Sequence, residues 1–126
     1  MVTSLYLGIL GLLYFWISIE TIKGRRANKV SLGAGENNEI LHLVSAHSNF
    51  ASYTPFFLFS LFLLEHQTVS LYAIHALAVV FVLGRVLHYL TMRNQEKTFK
   101  YRKAGMMLTL WPLIIVSVWN ITLVWR

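Results

Sequence analysis

Residues 43–59 read LVSAHSNFASYTPFFLF. The second half is apolar enough for the interior of a bilayer. The first half carries Ser45, His47, Ser48, Asn49, Ser52 and Tyr53, and runs into it without a break. Just upstream, the sequence GENNE at 35–39 offers Asn37 or Asn38 as a helix cap. Glu39 then falls in the first turn, where the helix dipole favours an acid. From Asn38 to Leu64 such a helix is roughly 40 Å long, against about 30 Å of hydrocarbon. The excess must tilt or protrude, and the polar half lies at the protruding end.

The rest of the chain has the same solvent preference. Of its 126 residues 56% are hydrophobic and 13% are charged, whereas soluble domains carry about 25% charged residues. Three further apolar runs flank the first, and the expected helices cover about 3–22, 38–64, 69–91 and 104–125. Each run is near the ~20 residues that cross a bilayer, and a lone spanning segment satisfies its backbone only as a helix. Long uninterrupted runs do not fit the short alternating strands of a barrel. The expectation is an all-α integral membrane protein: one domain, a four-helix up-down-up-down bundle. The first run has neither a preceding Lys or Arg nor a small-residue cleavage site, so it is expected to be a mature helix and not a signal peptide. With no cysteine, thiolate metal sites and cysteine nucleophiles are excluded.

Charge gives an orientation. The formal net charge is +6, and the basic residues cluster in two linkers. The first linker holds Lys23, Arg25, Arg26 and Lys29; the third holds Arg93, Lys97, Lys100, Arg102 and Lys103. The second, EHQT at 65–68, has none. This clustering between apolar runs is membrane topology and not a nucleic-acid surface. Linkers one and three are expected in the cytoplasm and both termini outside, where Arg126 is the only basic residue. Gly33 and Gly35 in SLGAGE mark a turn before helix two; no strand precedes them, so they are not a phosphate fingerprint.

The polar residues fall into a pattern. His42, Ser45, Asn49, Ser52 and Tyr53 follow spacings of three and four, and form one stripe on helix two. On helix three, Arg85 and His88 share a face inside VVFVLGRVLHYL, residues 79–90. Arginine at the centre of a span costs at least about 2.5 kcal/mol, so it either faces a bundle interior or snorkels to the interface. Gly84 allows a close helix contact. His88 and Asn49 read either as ligand contacts or as interhelical hydrogen-bond partners. His75 reads as an outer-interface residue, His66 as a loop residue, and Tyr14, Phe15, Trp16, Trp111, Trp119 and Trp125 as lipid-facing or interfacial aromatics. Pro55 leaves the carbonyl of Ala51 without its helical donor, and a bend there would open space beside the polar half. Together these residues outline a cytoplasm-facing pocket for an anionic or zwitterionic ligand, with an apolar wall for a lipophilic second one. No metal-ligand spacing, Ser-His-Asp set or carboxylate pair is present. His47 and His88 lack the facing-pair geometry of a haem site, and Glu20 lies too near the basic end to serve as the central acid of a small multidrug exporter.

At these residues the chain resembles the family of membrane-associated proteins in eicosanoid and glutathione metabolism, MAPEG. SAHSNFASYTP matches the family's helix-two pattern at Ala46, His47, Asn49, Tyr53 and Pro55. Gly84, Arg85 and His88 match its helix-three pattern, and Arg102 and Gly105 match the end of its basic loop. The opening MVTSLY and the stretch 85–106 are most similar to the small bacterial inner-membrane branch. The resemblance implies a homotrimer in the bacterial inner membrane. It places a glutathione site between subunits, opening to the cytoplasm, and implies transferase, peroxidase or isomerase activity on a lipophilic small molecule. It assigns Arg85 and Arg102 to thiolate stabilisation, and Asn49, Ser52, Tyr53 and His88 to the ligand pocket, to which the polar stripe adds His42. Two positions depart from the pattern: Ser45 stands where the family usually has Arg, and Ser52 where it usually has Glu. Two functions follow: a glutathione-dependent enzyme, or a non-catalytic membrane protein on the same fold that binds a lipid, another ligand or a partner.

Overall fold

The computed structural model describes residues 1–94 and 99–125. Within them the chain forms α1 (Val2–Asn28), α2 (Asn38–His66), α3 (Leu71–Arg93) and α4 (Phe99–Leu123). Lys97 and Arg126, counted above in the charge asymmetry, lie outside the described residues. The fold is an all-α membrane bundle. Successive helices run antiparallel, as the cross-contacts show: Ser18 meets His47, Asn49 meets Arg85, and Gly84 meets Leu108. The helices α2 and α3 form the central pair. Against them α1 packs on one flank and α4 on the other, and α1 and α4 do not touch among the described residues.

Three of the helices, α1, α3 and α4, are long and apolar enough to cross a membrane. The 29-residue α2 falls short in apolar character because its first half carries the polar stripe. It starts where the capping signal put it: the side-chain oxygen of Asn37 accepts the backbone N–H of Ile40 at 3.0 Å. Two helix ends lie beyond the apolar runs. The first helix continues through Lys23, Arg25 and Arg26, whose charges favour a helix C-terminus, and stops at Lys29 in the left-handed region (φ 54°). The fourth is already helical at Phe99, so Arg102 lies within the helix and not in a loop.

The core gathers where the helices cross. Phe57 and Phe81 stack with ring centroids 3.8 Å apart and an interplanar angle of 3°. Around them lie Leu10, Phe50, Leu61, Ile74, Ala78 and Val116, all buried. The closest approach is between α3 and α4. A Cβ on Gly84 would come within 2.9 Å of Leu108 and Thr109 backbone atoms, and one on Gly105 within 2.7 Å of the His88 nitrogen. The close contact expected at Gly84 is therefore present, and it is reciprocal.

Two acids fasten α1 at opposite ends. The Glu65 carboxylate, in the last turn of α2, accepts the backbone N–H groups of Val2 and Thr3. At the other end Glu20 pairs with Arg93 of α3, whose guanidinium also lies 5.5 Å from the Trp16 ring. The Glu65 tie satisfies two donors that a helix start leaves open. Glu65→Ala is expected to cost about 1–2 kcal/mol of stability, as loss of a helix cap does, and Glu65→Gln about half of that. Denaturation titrations of the purified variants check this; equal midpoints for all three proteins would sink it.

Candidate functional site

The site begins at Arg85, which is 1% exposed. It does not snorkel: the side chain turns into the bundle. Its Nε donates to Thr109 Oγ1 at 2.9 Å, and its Nη1 donates to Asn49 at Oδ1 (2.7 Å) and at the backbone carbonyl (3.3 Å). The Nη2 group reaches only the Met106 sulfur at 3.6 Å, a weak acceptor. The guanidinium carbon lies 5.5 Å from the Tyr53 ring centroid and 5.9 Å from that of Phe81. Three helices thus build one cation cage: Asn49 and Tyr53 from α2, Phe81 from α3, Met106 and Thr109 from α4. Thr109 is held in turn by its own bond to the Gly105 carbonyl at 2.9 Å.

Every neighbour of this cation is neutral. Among the described residues no carboxylate pairs with it; the one ion pair there is Glu20 with Arg93. An arginine in hydrocarbon costs about 2.5–3.5 kcal/mol on insertion scales, and aromatic faces and amides offset only part of that. An Nη2 edge with one weak acceptor, on an unneutralised positive charge, has hydrogen-bonding capacity left for an anionic group.

The remaining residues of the expected site scatter around this cage. His88, one turn beyond Arg85, is 4% exposed, and its backbone is pressed against Gly105. Ser52 faces outward and donates to the Ser48 carbonyl at 2.8 Å. His42 is half-buried, and its Nδ1 has no partner. Arg102 is exposed, with its guanidinium 5.5 Å over the Phe99 ring. The structure therefore brings Arg85, Asn49 and Tyr53 together, while Arg102 and Ser52 stay on the outer surface of the single chain. His47 belongs to a different contact: its Nε2 lies 3.1 Å from Ser18 Oγ, and its ring is tilted against Tyr14.

Three members of the cage escaped the sequence reading. Thr109 and Met106 sit on an otherwise apolar helix, and Phe81 reads as core. One signal was available for Thr109: it lies four residues after Gly105, on the face that the glycine brings against α3. The space expected beside Pro55 is also found elsewhere. It opens toward α1 as an apolar groove, not toward the polar half. Among the described residues no group of three or more His, Cys, Asp or Glu could hold a metal ion.

Comparison with known proteins bears on the whole chain. A sequence model of the MAPEG family matches residues 3–122. The inner membrane protein YecN of Escherichia coli (strain K12) is 25% identical over 121 residues, which cover 96% of this chain and 91% of the relative. The protein of the same name from Escherichia coli O6:H1 gives the same figures.

Proposed function

The chain belongs to the MAPEG family, and on that footing we propose that it binds glutathione at the Arg85 cage and presents it to a lipophilic electrophile from the bilayer. One observation carries this reading: a buried, unneutralised arginine whose Nη2 edge has only a thioether for acceptor. Glutathione supplies carboxylates for such a cation and, when bound, a thiol as nucleophile. Asn49 and Thr109 fix the plane of the guanidinium, so its free edge is already oriented before a ligand arrives. Tyr53 covers one side of it. Arg102, in the basic stretch of α4, is a second cation for the same ligand at the cytoplasmic mouth. The proposal extends to a homotrimer, whose neighbour would cover the outward stripe of Ser48 and Ser52. It also extends to the inner membrane, where the YecN relative is found, with basic linkers inside and both termini outside.

Titrating reduced glutathione into the detergent-purified protein is expected to give saturable heat at millimolar concentration. Asn49→Ala should weaken it about tenfold by loosening Arg85. An absence of heat from the native protein would overturn the proposal.

A second reading rests on its own observation. The stripe carries no carboxylate for the ammonium group of glutathione, and the Ser52 hydroxyl is already bonded to Ser48. If the scaffold serves another ligand, Ser45→Arg combined with Ser52→Glu creates glutathione binding that the native chain lacks. Native binding, or no gain in the double variant, counts against it.

A further inference from the structure

At the end of the bundle that carries the basic linkers, α1, α2 and α3 leave an open cavity of about 500 Å³. That is within the roughly 300–1,000 Å³ of small-molecule sites. Glu20 and Lys23 of α1 form one wall, Glu39 and Leu43 of α2 the second, and Arg93 and Asn94 at the end of α3 the third. The cavity shares no residue with the Arg85 cage.

Its charges set it apart from the surface around it. The nearby linkers are strongly basic, yet two of the four carboxylates among the described residues, Glu20 and Glu39, meet in this cavity. They share it with two cations, Lys23 and Arg93. All four side chains are open to a ligand: Lys23 and Glu39 are exposed, and the Arg93 and Glu20 side chains are 37% and 21% exposed. Arg93 is held in place. Its Nη2 donates to Glu20, and its guanidinium carbon lies 5.5 Å from the Trp16 ring centroid. Among the described residues its Nε and Nη1 have no hydrogen-bond partner. Glu39 accepts only a long bond, from Asn28 Nδ2 at 3.4 Å. Spare donors on a fixed cation and spare acceptors on a carboxylate, in one cavity, suit a ligand that carries both signs of charge.

The depth says where that ligand comes from. On α1 the exposed residues on the membrane side of the cavity are apolar, Leu12 and Phe15, and those beyond it are Lys23 and Arg26. Trp16, one turn before Glu20, is a residue type that gathers at the edge of a bilayer. The cavity therefore opens at the level of the lipid headgroups. We propose that it binds the headgroup of phosphatidylethanolamine. The phosphate takes hydrogen bonds from Arg93 and Lys23, and the primary ammonium donates to Glu39 and Glu20. The four side-chain charges cancel, as do the two of the headgroup. Phosphatidylglycerol brings a second hydroxyl but no cation for the carboxylates. Phosphatidylcholine has a quaternary ammonium without an N–H, which is recognised by aromatic faces, and the Trp16 face is already taken by Arg93. This site does not rest on glutathione binding.

The test is native mass spectrometry of the full-length protein in detergent, with phosphatidylethanolamine, phosphatidylcholine and phosphatidylglycerol of identical acyl chains offered in equal amounts. Phosphatidylethanolamine is expected to be retained about tenfold better than either of the others, the value of one hydrogen bond to a charged group. Glu39→Gln, an exposed change that leaves the helix intact, should cut that preference to about twofold. Lys23→Gln should weaken the retention of phosphatidylethanolamine, while Lys100→Gln, a basic residue outside the cavity, should not. Equal retention of phosphatidylethanolamine and phosphatidylcholine by the native protein would overturn the proposal. A preference for phosphatidylglycerol would overturn it too, since the carboxylates would then have no part in binding. So would an undiminished preference in Glu39→Gln.

Discussion

Gly105→Leu is expected to leave little or no stably folded protein in the membrane fraction. The position has no room even for a methyl group: a Cβ there would stand 2.7 Å from the His88 nitrogen, 2.8 Å from its Cα and 2.9 Å from its Cβ. These are backbone-anchored atoms, so the clash cannot be relieved by a rotamer change, and α3 and α4 must separate. The same crossing is tight from the other side, because Gly84 meets Leu108 and Thr109 one turn away. Overpacking that shifts the backbone costs about 1–3 kcal/mol, and Gly105→Ala should lie toward the upper end of that range. The leucine forces a larger separation of the two helices and belongs in the class above about 4 kcal/mol. Separation would also withdraw Thr109, one turn along, from Arg85. Denaturation of the purified variants measures both values. A Gly105→Leu protein as stable as the native one would refute the packing described here.

Arg85→Met is expected to abolish glutathione binding while leaving the protein as stable as before, or more so. The opposite signs are the diagnostic part. Methionine has similar length, enough flexibility to fill the cage, and no charge to strand among Phe81, Tyr53 and Met106. Replacing buried ionic groups by apolar residues of like volume is often neutral or stabilising by about 1–4 kcal/mol. The groups left behind are not all orphaned, since the Thr109 hydroxyl already bonds to the Gly105 carbonyl. Arg85→Ala, by contrast, leaves a cavity and should destabilise. Glutathione titration and denaturation on the same preparations decide it. If Arg85→Met unfolds several kcal/mol more easily than the native protein, the arginine is there to hold the bundle together, not to receive an anion.

The four helices were legible because a bilayer demands long apolar runs, and the chain supplies them. Their ends were less so. The reading stopped α1 at the first lysine, but lysine and arginine are good helix formers, and the helix continues past the apolar run to Asn28. The same effect keeps α4 helical through Lys100, Arg102 and Lys103, ahead of its apolar run. Of the candidate site, the inward turn of Arg85 was one of two placements left open by the cost of burying its charge. The stripe on α2 was read too broadly. Asn49 and Ser52 are three residues apart, which is about 300° of rotation and leaves them some 60° from alignment. That angle takes Asn49 inward to Arg85 and leaves Ser52 exposed. Thr109 and Met106 were not legible as partners, because periodicity within one helix does not specify which atoms of another helix it will meet.

The two acids that fasten α1 have a consequence for the surrounding lipid. Thr3, bound to Glu65, and Glu20, bound to Arg93, are polar ties fixed at either end of one helix. Seventeen residues separate them, a span of about 26 Å. Hydrocarbon cannot cover these groups without stripping water from them, so this distance is the thickness of bilayer that the bundle accepts without strain. An average membrane core of about 30 Å must thin by a few ångströms at its perimeter. Tilting offers no relief, since it shortens the span further. The protein is therefore matched to thin bilayers, and the length of the surrounding acyl chains becomes a variable that acts on its fold directly.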